Sequence, residues 1–123
     1  MSRVLVTGAS GIVGYGILRS LQKSALDYFL VGSSIYEDSV APAFCDVFEQ
    51  APMTSSPDYS SWLITTVSKY KIDIVIPGIE ADMYHFAANY NSLVEAGVRP
   101  MLNRESLVLL CKDKWRFYTE AER

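Results

Sequence analysis

Short apolar runs alternate with segments of helical period along this chain, which is the pattern of a parallel α/β sheet. Residues 4–6 read as a short buried strand, 28–32 as a second, 46–49 as a third, 73–77 as a fourth and 99–102 as a fifth. The run Ile74, Val75, Ile76 has no polar alternation, which predicts a strand covered on both faces. Val13, Ile17 and Leu21 recur at helical spacing over residues 12–24. Ser56-Pro57-Asp58 is a helix start on three counts: Ser as N-cap, Pro at the first helical position, and Asp in the first turn. Leu63, Ile64, Val67 and Tyr70 then share one face. Residues 82–96 predict one helix with Met83, Phe86, Ala87, Tyr90, Leu93 and Val94 on a single stripe, stopped by Gly97. Short helices over 39–45, bent near Pro42, and over 104–110, capped by Asn103, complete the set. Residues 51–57, with two prolines and two serines, read as a loop.

Five strands joined by helical crossovers predict a doubly wound sheet ordered 3-2-1-4-5, with helices on both faces. Gly8, Gly11 and Gly14, spaced G-x-x-G-x-x-G, lie directly between the first strand and the first helix and make the sheet Rossmann-like. Gly8 permits the sharp turn, Gly11 lets backbone N–H groups approach a ligand, and Gly14 lets the helix press on the sheet. The helix start offers unpaired donors and a positive dipole end to an anion. Gly8, Ala9, Ser10, Gly11 and Ile12 are therefore candidate ligand-facing residues, with a tight turn that holds no ligand as the plainer alternative.

In this order the winding reverses between the first and fourth strands, where ligands sit beyond the carboxyl ends. Pro77-Gly78-Ile79-Glu80-Ala81-Asp82 should then lie beside the glycine turn, Gly78 leaving room. Glu80 and Asp82 have two readings: they accept hydrogen bonds from a ligand amine or hydroxyl, or they favour the next helix through its dipole. Tyr15 is either a gate or a half-buried helix residue. His85 falls off the predicted apolar stripe and has no partners at metal spacing, so a solvated surface histidine is expected.

Composition narrows the classes. The chain has 123 residues, half of them hydrophobic and a fifth charged, as in one globular domain. A net charge of -3 offers no footprint for nucleic acid or an anionic membrane. Cys45 and Cys111 stand far apart without CxxC or His spacing, and read as reduced, mostly buried thiols. With neither an apolar run long enough for a membrane span nor a basic-then-apolar leader, the expected compartment is the cytoplasm.

The opening Thr7-Gly8-Ala9-Ser10-Gly11-Ile12-Val13-Gly14 resembles that of extended short-chain dehydrogenases. That resemblance implies a charged ribose reader after the second strand, where this chain has Gly32-Ser33-Ser34, with Glu37 and Asp38 only later. No tyrosine heads the Tyr-x-x-x-Lys pair that performs those enzymes' proton chemistry.

A second resemblance runs over nearly the whole chain. The glycine turn, Asp73-Ile74-Val75-Ile76-Pro77, Glu80, Gly97-Val98 and Asp113-Lys114, in that order and spacing, resemble the pre-ATP-grasp domain of ATP-grasp ligases. The similarity is to the carbamoyl-phosphate-synthase-like branch, shared also by Ala43-Phe44-Cys45-Asp46 with Val47-Phe48 and by Leu109-Leu110-Cys111-Lys112-Asp113-Lys114. It implies a front domain over residues 1–111 and a hinge helix over 112–123 that opens an ATP-grasp domain. In such ligases ATP phosphorylates a carboxylate or bicarbonate, and an amine or other nucleophile attacks the acyl phosphate.

Gly8, Ala9, Ser10, Gly11, Ile12, Glu80 and Asp82 would line the acceptor side, while Lys114 would reach the nucleotide phosphates or remain a solvated helix charge. ATP and magnesium are expected only in the longer enzyme, with no catalytic residue in these 123 and no tightly held cofactor. The dinucleotide-binding half of a dehydrogenase-like protein is the alternative, and a non-enzymatic binding or assembly module a third class. Trp115 and Tyr118, three apart, and Phe117 and Ala121, four apart, give the tail an aromatic side. Its expected partner is the downstream domain; without that domain the tail frays or packs on a second copy as a homodimer.

Overall fold

A computed structural model describes residues 1–102 together with Thr119 and Ala121. The sequence-predicted helix over 104–110, its Asn103 cap, Cys111, Lys114 and the hinge helix over 112–123 lie outside the described residues, apart from those two helical positions. The elements run β1 (Ser2–Thr7), α1 (Ile12–Gln22), β2 (Tyr28–Ser34), a 3-10 turn (Ala41–Phe44), β3 (Val47–Gln50) and α2 (Tyr59–Lys69). They continue as β4 (Ile74–Pro77), α3 (Glu80–Ala88), α4 (Tyr90–Glu95) and β5 (Arg99–Pro100).

All four strand pairings are parallel and the order is β3-β2-β1-β4-β5, as the crossover pattern predicts. The period-2 alternation of β1 and β2 sends side chains to two separate cores. Leu5 and Val31 face α2, α3 and α4 through Tyr59, Leu63, Val67, Phe86 and Leu93. Val4, Val6 and Leu30 face α1 and the 3-10 turn through Leu18 and Ala41. Val75, at the centre of β4, is fully buried, as its unbroken apolar run predicts. The fold is therefore a Rossmann-like doubly wound sheet with helices on both faces.

Three local expectations need correcting. The helix expected over 82–96 starts two residues earlier and is two helices, broken at Asn89, whose side chain donates to the His85 carbonyl. An asparagine that bonds the backbone locally competes with the helical ladder. The break leaves Tyr90 and Val94, expected on the apolar stripe, 40% and 49% exposed. Ser56 does not cap α2 itself: Tyr59 N–H bonds the Ser56 carbonyl, a turn forms first, and Asp58 takes the cap position without a side-chain bond. The fifth strand is only two residues long, although Met101 N–H still bonds the Val75 carbonyl.

Candidate functional site

The glycine turn is built from backbone geometry. Gly8 has φ +60°, the left-handed region that a side chain occupies at a cost, and its carbonyl accepts from Gly11 N–H at 3.1 Å. Gly11 itself is extended at φ -79° and holds the N-cap position of α1 without any side-chain cap. No acidic residue stands in the first turn, so the positive end of the helix is left uncompensated locally.

Gly14 and Gly78 serve packing. A Cβ on Gly14 would overlap the Gly8 carbonyl oxygen, and one on Gly78 would overlap the Thr7 carbonyl oxygen. Gly78 had been expected only to leave room for a ligand; instead its bare Cα lets the β4–α3 turn lie against the β1–α1 turn. Ile79 then covers Gly8, its Cγ2 being 2.7 Å from where a Gly8 Cβ would sit.

Ser10 ties this turn to the end of β2. Its Oγ lies 2.6 Å from Ser34 Oγ and 2.7 Å from Ser39 Oγ. Ser34 Oγ also accepts from Tyr36 N–H, and Ser39 Oγ from Ala41 N–H. The chain of three hydroxyls thus receives a backbone N–H donor at each end.

A crevice of about 340 Å³ opens beside the turn, where the winding reverses. Gly8, Ser10 and Gly11 form one wall, Ser33, Ser34, Ile35 and Tyr36 the end of β2, and Ile79 and Asp82 the opposite side. Pro52, Thr54 and Tyr59 close it below. Asp82 is 3% exposed, and its Oδ1 accepts from Thr54 Oγ1 at 2.6 Å and from Tyr59 Oη at 2.9 Å. Burial, the Asp82 charge and this hydrogen bond together push the Tyr59 phenol well above its usual range, so it donates at all working pH. Among the described residues lining the crevice there is no cationic side chain.

Of the predicted site residues, Gly8, Ser10, Gly11 and Asp82 meet at this crevice. Ala9 does not: it is fully buried in the α1-side core, and its N–H bonds the Ser33 carbonyl at 2.8 Å. Ile12 is 91% exposed and borders a neighbouring apolar depression with Tyr15, Val40 and Phe44. Glu80 is exposed at the first position of α3, where the dipole favours an acid, and does not line the crevice. Tyr15 packs edge-on against Phe44, 5.0 Å between ring centroids, as a half-buried helix residue. Lys114 lies outside the described residues.

His85 is not the solvated surface residue that its helical-wheel position predicts. Its ring lies edge-on to Tyr59 at 4.8 Å, Nε2 is 3.0 Å from Ser60 Oγ, and Nδ1 is buried without a hydrogen-bond partner among the described residues. Burial lowers its pKa, opposed by the Asp82 charge. The physical reason is the inward turn of Asp82: residues three and four further on, His85 and Phe86, follow it to the same face. Thr54 and Tyr59 are not marked by any motif in the sequence; Ser33 and Ile79 enter it only as members of the segments after the second and fourth strands. The hydroxyl of Tyr59, on a buried helix face shared with Leu63 and Val67, is the one signal for that wall.

Cys45 is half-buried, with its thiol donating to the Ala41 carbonyl and its pKa raised mainly by burial. Among the described residues no group of three His, Cys, Asp or Glu side chains is placed to hold a metal ion. No helix among them is long and apolar enough to cross a membrane.

No protein-family model matches the sequence, and no curated protein matches it. Among solved structures the chain is similar to dTDP-glucose 4,6-dehydratase from Bacillus anthracis str. Ames, determined in complex with NAD. The TM-score is 0.59 at 12% identity, over 81% of this chain. The chain spans only 36% of that dehydratase's length. At this identity the likeness is one of architecture, and it agrees with the strand order in making the chain a Rossmann-like α/β unit.

Proposed function

We propose that the chain is the front, ligand-binding unit of an ATP-dependent carboxylate–amine ligase of the carbamoyl-phosphate-synthase-like kind. Its switch-point crevice would form the acceptor side, and it would not catalyse ligation alone. The observation that carries this reading is where the crevice keeps its carboxylate. A ribose-reading acid belongs at the end of β2. Here that position holds Ser33 and Ser34, with the Ser34 hydroxyl engaged by Ser10 and by Tyr36 N–H. The crevice acid, Asp82, comes from the opposite wall. The order of motifs over the whole chain supports the same reading.

The groups that would hold ATP and magnesium belong to the downstream domain and to Lys114, so these residues supply no step through the nucleotide. Their part is to position: the glycine turn offers N–H donors to an anionic group, and Asp82 fixes a donor of the acceptor. The test compares this chain with the protein continued past Arg123 into the following domain. ATP binding and carboxylate-dependent release of ADP should appear in the longer form only. Equal, tight ATP binding by the 123-residue form would remove Lys114's role and the family reading with it.

The alternative, a dinucleotide-binding half of a dehydrogenase-like protein, is favoured by one observation. The fold is similar to that of a dehydratase that binds NAD, and the crevice lies between the glycine turn and the end of β2, where a dinucleotide would run.

A further inference from the structure

The crevice contains two polar features that point in the same direction. Asp82 is almost wholly buried, yet a carboxylate offers about four acceptor sites. Thr54 and Tyr59 both donate to Oδ1. Ser33 is 1% exposed, lines the same crevice, and its Oγ has no hydrogen-bond partner among the described residues. Alternation along β2 puts Ser33 on the face of Val31, the face covered by α2 and α3, from which Tyr59 and Asp82 project.

A buried hydroxyl with no partner is costly, and removal of such a group by an apolar replacement is nearly neutral for stability. Its presence on the face of β2 that otherwise carries Phe29 and Val31 is a cost to the fold alone. A buried carboxylate with two neutral donors, and with no Lys or Arg among the described residues lining its crevice, is locally better suited to a cation than to an anion. The remaining walls, Ile35, Pro52 and Ile79, accept a small apolar body.

From this geometry we infer that Asp82 and Ser33 form a subsite for the ammonium group of a small primary amine, with Thr54 and Tyr59 as positioning residues that hold the carboxylate. The inference rests on the crevice being the acceptor side of the proposed function, and it deepens the chemistry of that acceptor: besides the carboxylate that is activated, it carries a primary amine. Asp82 accepts two of the ammonium protons or one of them, and Ser33 Oγ accepts another. No bond to carbon forms or breaks at this subsite.

The experiment is a titration of the 123-residue chain, followed through its amide NMR spectrum, with n-propylammonium, n-propanol and propionate as separate probes. Propylammonium should shift the amides of Ser33, Thr54 and Asp82 saturably; propionate, held by the N–H donors of the glycine turn, should shift Ser10 and Gly11 and leave Thr54 and Asp82 unmoved. Asp82→Asn keeps the shape and the two neutral donors, and should weaken propylammonium binding about tenfold or more, as loss of a charge-assisted bond does. Ser33→Ala should weaken it while leaving the melting temperature unchanged or higher. The Ser33→Ala arm keeps the proposal testable should Asp82→Asn fail to fold. Propionate shifts at Thr54 and Asp82 that match those of propylammonium, equal binding of propanol, or propylammonium shifts that survive both substitutions would overturn it. Because the readout needs no ATP, these results separate failure of the amine subsite from failure of the ligase reading.

Discussion

A Cβ on Gly78 would come within 2.8 Å of the Cα of Gly14, so the β4–α3 turn and the start of α1 touch backbone to backbone. This contact sets the spacing of the two crevice walls. Any side chain at either position pushes Ile79 and Asp82 away from Gly8, Ser10 and Gly11.

The glycines should therefore rank by contact rather than by position in the motif. Gly78→Ala must displace the Thr7 carbonyl and should cost about 1–3 kcal/mol, the range for overpacking. Gly8→Ala should cost about 1–2 kcal/mol through its φ of +60°. At Gly11, with ordinary φ and its nearest neighbour 3.5 Å from a Cβ, alanine should stay within about 1 kcal/mol of wild type. Urea denaturation of the three variants checks the order. A Gly11→Ala cost matching that of Gly78→Ala would contradict it.

Tyr59 should make the protein sensitive to alkali. Its folded pKa is raised, so the stability it contributes is complete below the unfolded value of about 10 and is lost as pH rises beyond it. Tyr59→Phe should cost about 1.5–3 kcal/mol at pH 7, the worth of a hydrogen bond to a charged group. The gap between wild type and variant should narrow above pH about 10. Parallel stability curves from pH 8 to pH 11 would argue against the Tyr59–Asp82 bond.

His85 works at the opposite end of the scale. Burial lowers its folded pKa, so its contribution is present above the unfolded value of about 6.5 and is lost as pH falls through the folded pKa. Wild type should lose stability relative to His85→Gln when the pH drops from 7.5 to 5. An NMR titration of the imidazole with a midpoint at or above the unfolded value would rule this out.

Strand order and both cores follow from period and burial, because Val75 or Leu5 has one stable place in such a sheet. The glycine turn is equally local: three glycines between a strand and a helix leave few conformations. The crevice wall is not local. Asp82 is buried because Thr54 and Tyr59, more than twenty positions away, present hydroxyls to it. Period alone places a charged residue outside, and that same logic put His85 in solvent. Gly78 was legible as a turn residue, but its role depends on the distant Gly14.

The central claim is that this crevice is an acceptor site and lacks the ribose reader of a dinucleotide site. Calorimetric titration of the chain with NAD, NADH, NADP and NADPH tests it most directly. With Ser33 and Ser34 at the end of β2, none of the four should bind more tightly than about the millimolar range, a binding free energy near 4 kcal/mol. Micromolar affinity for any of them would contradict the account and establish the dinucleotide reading in its place.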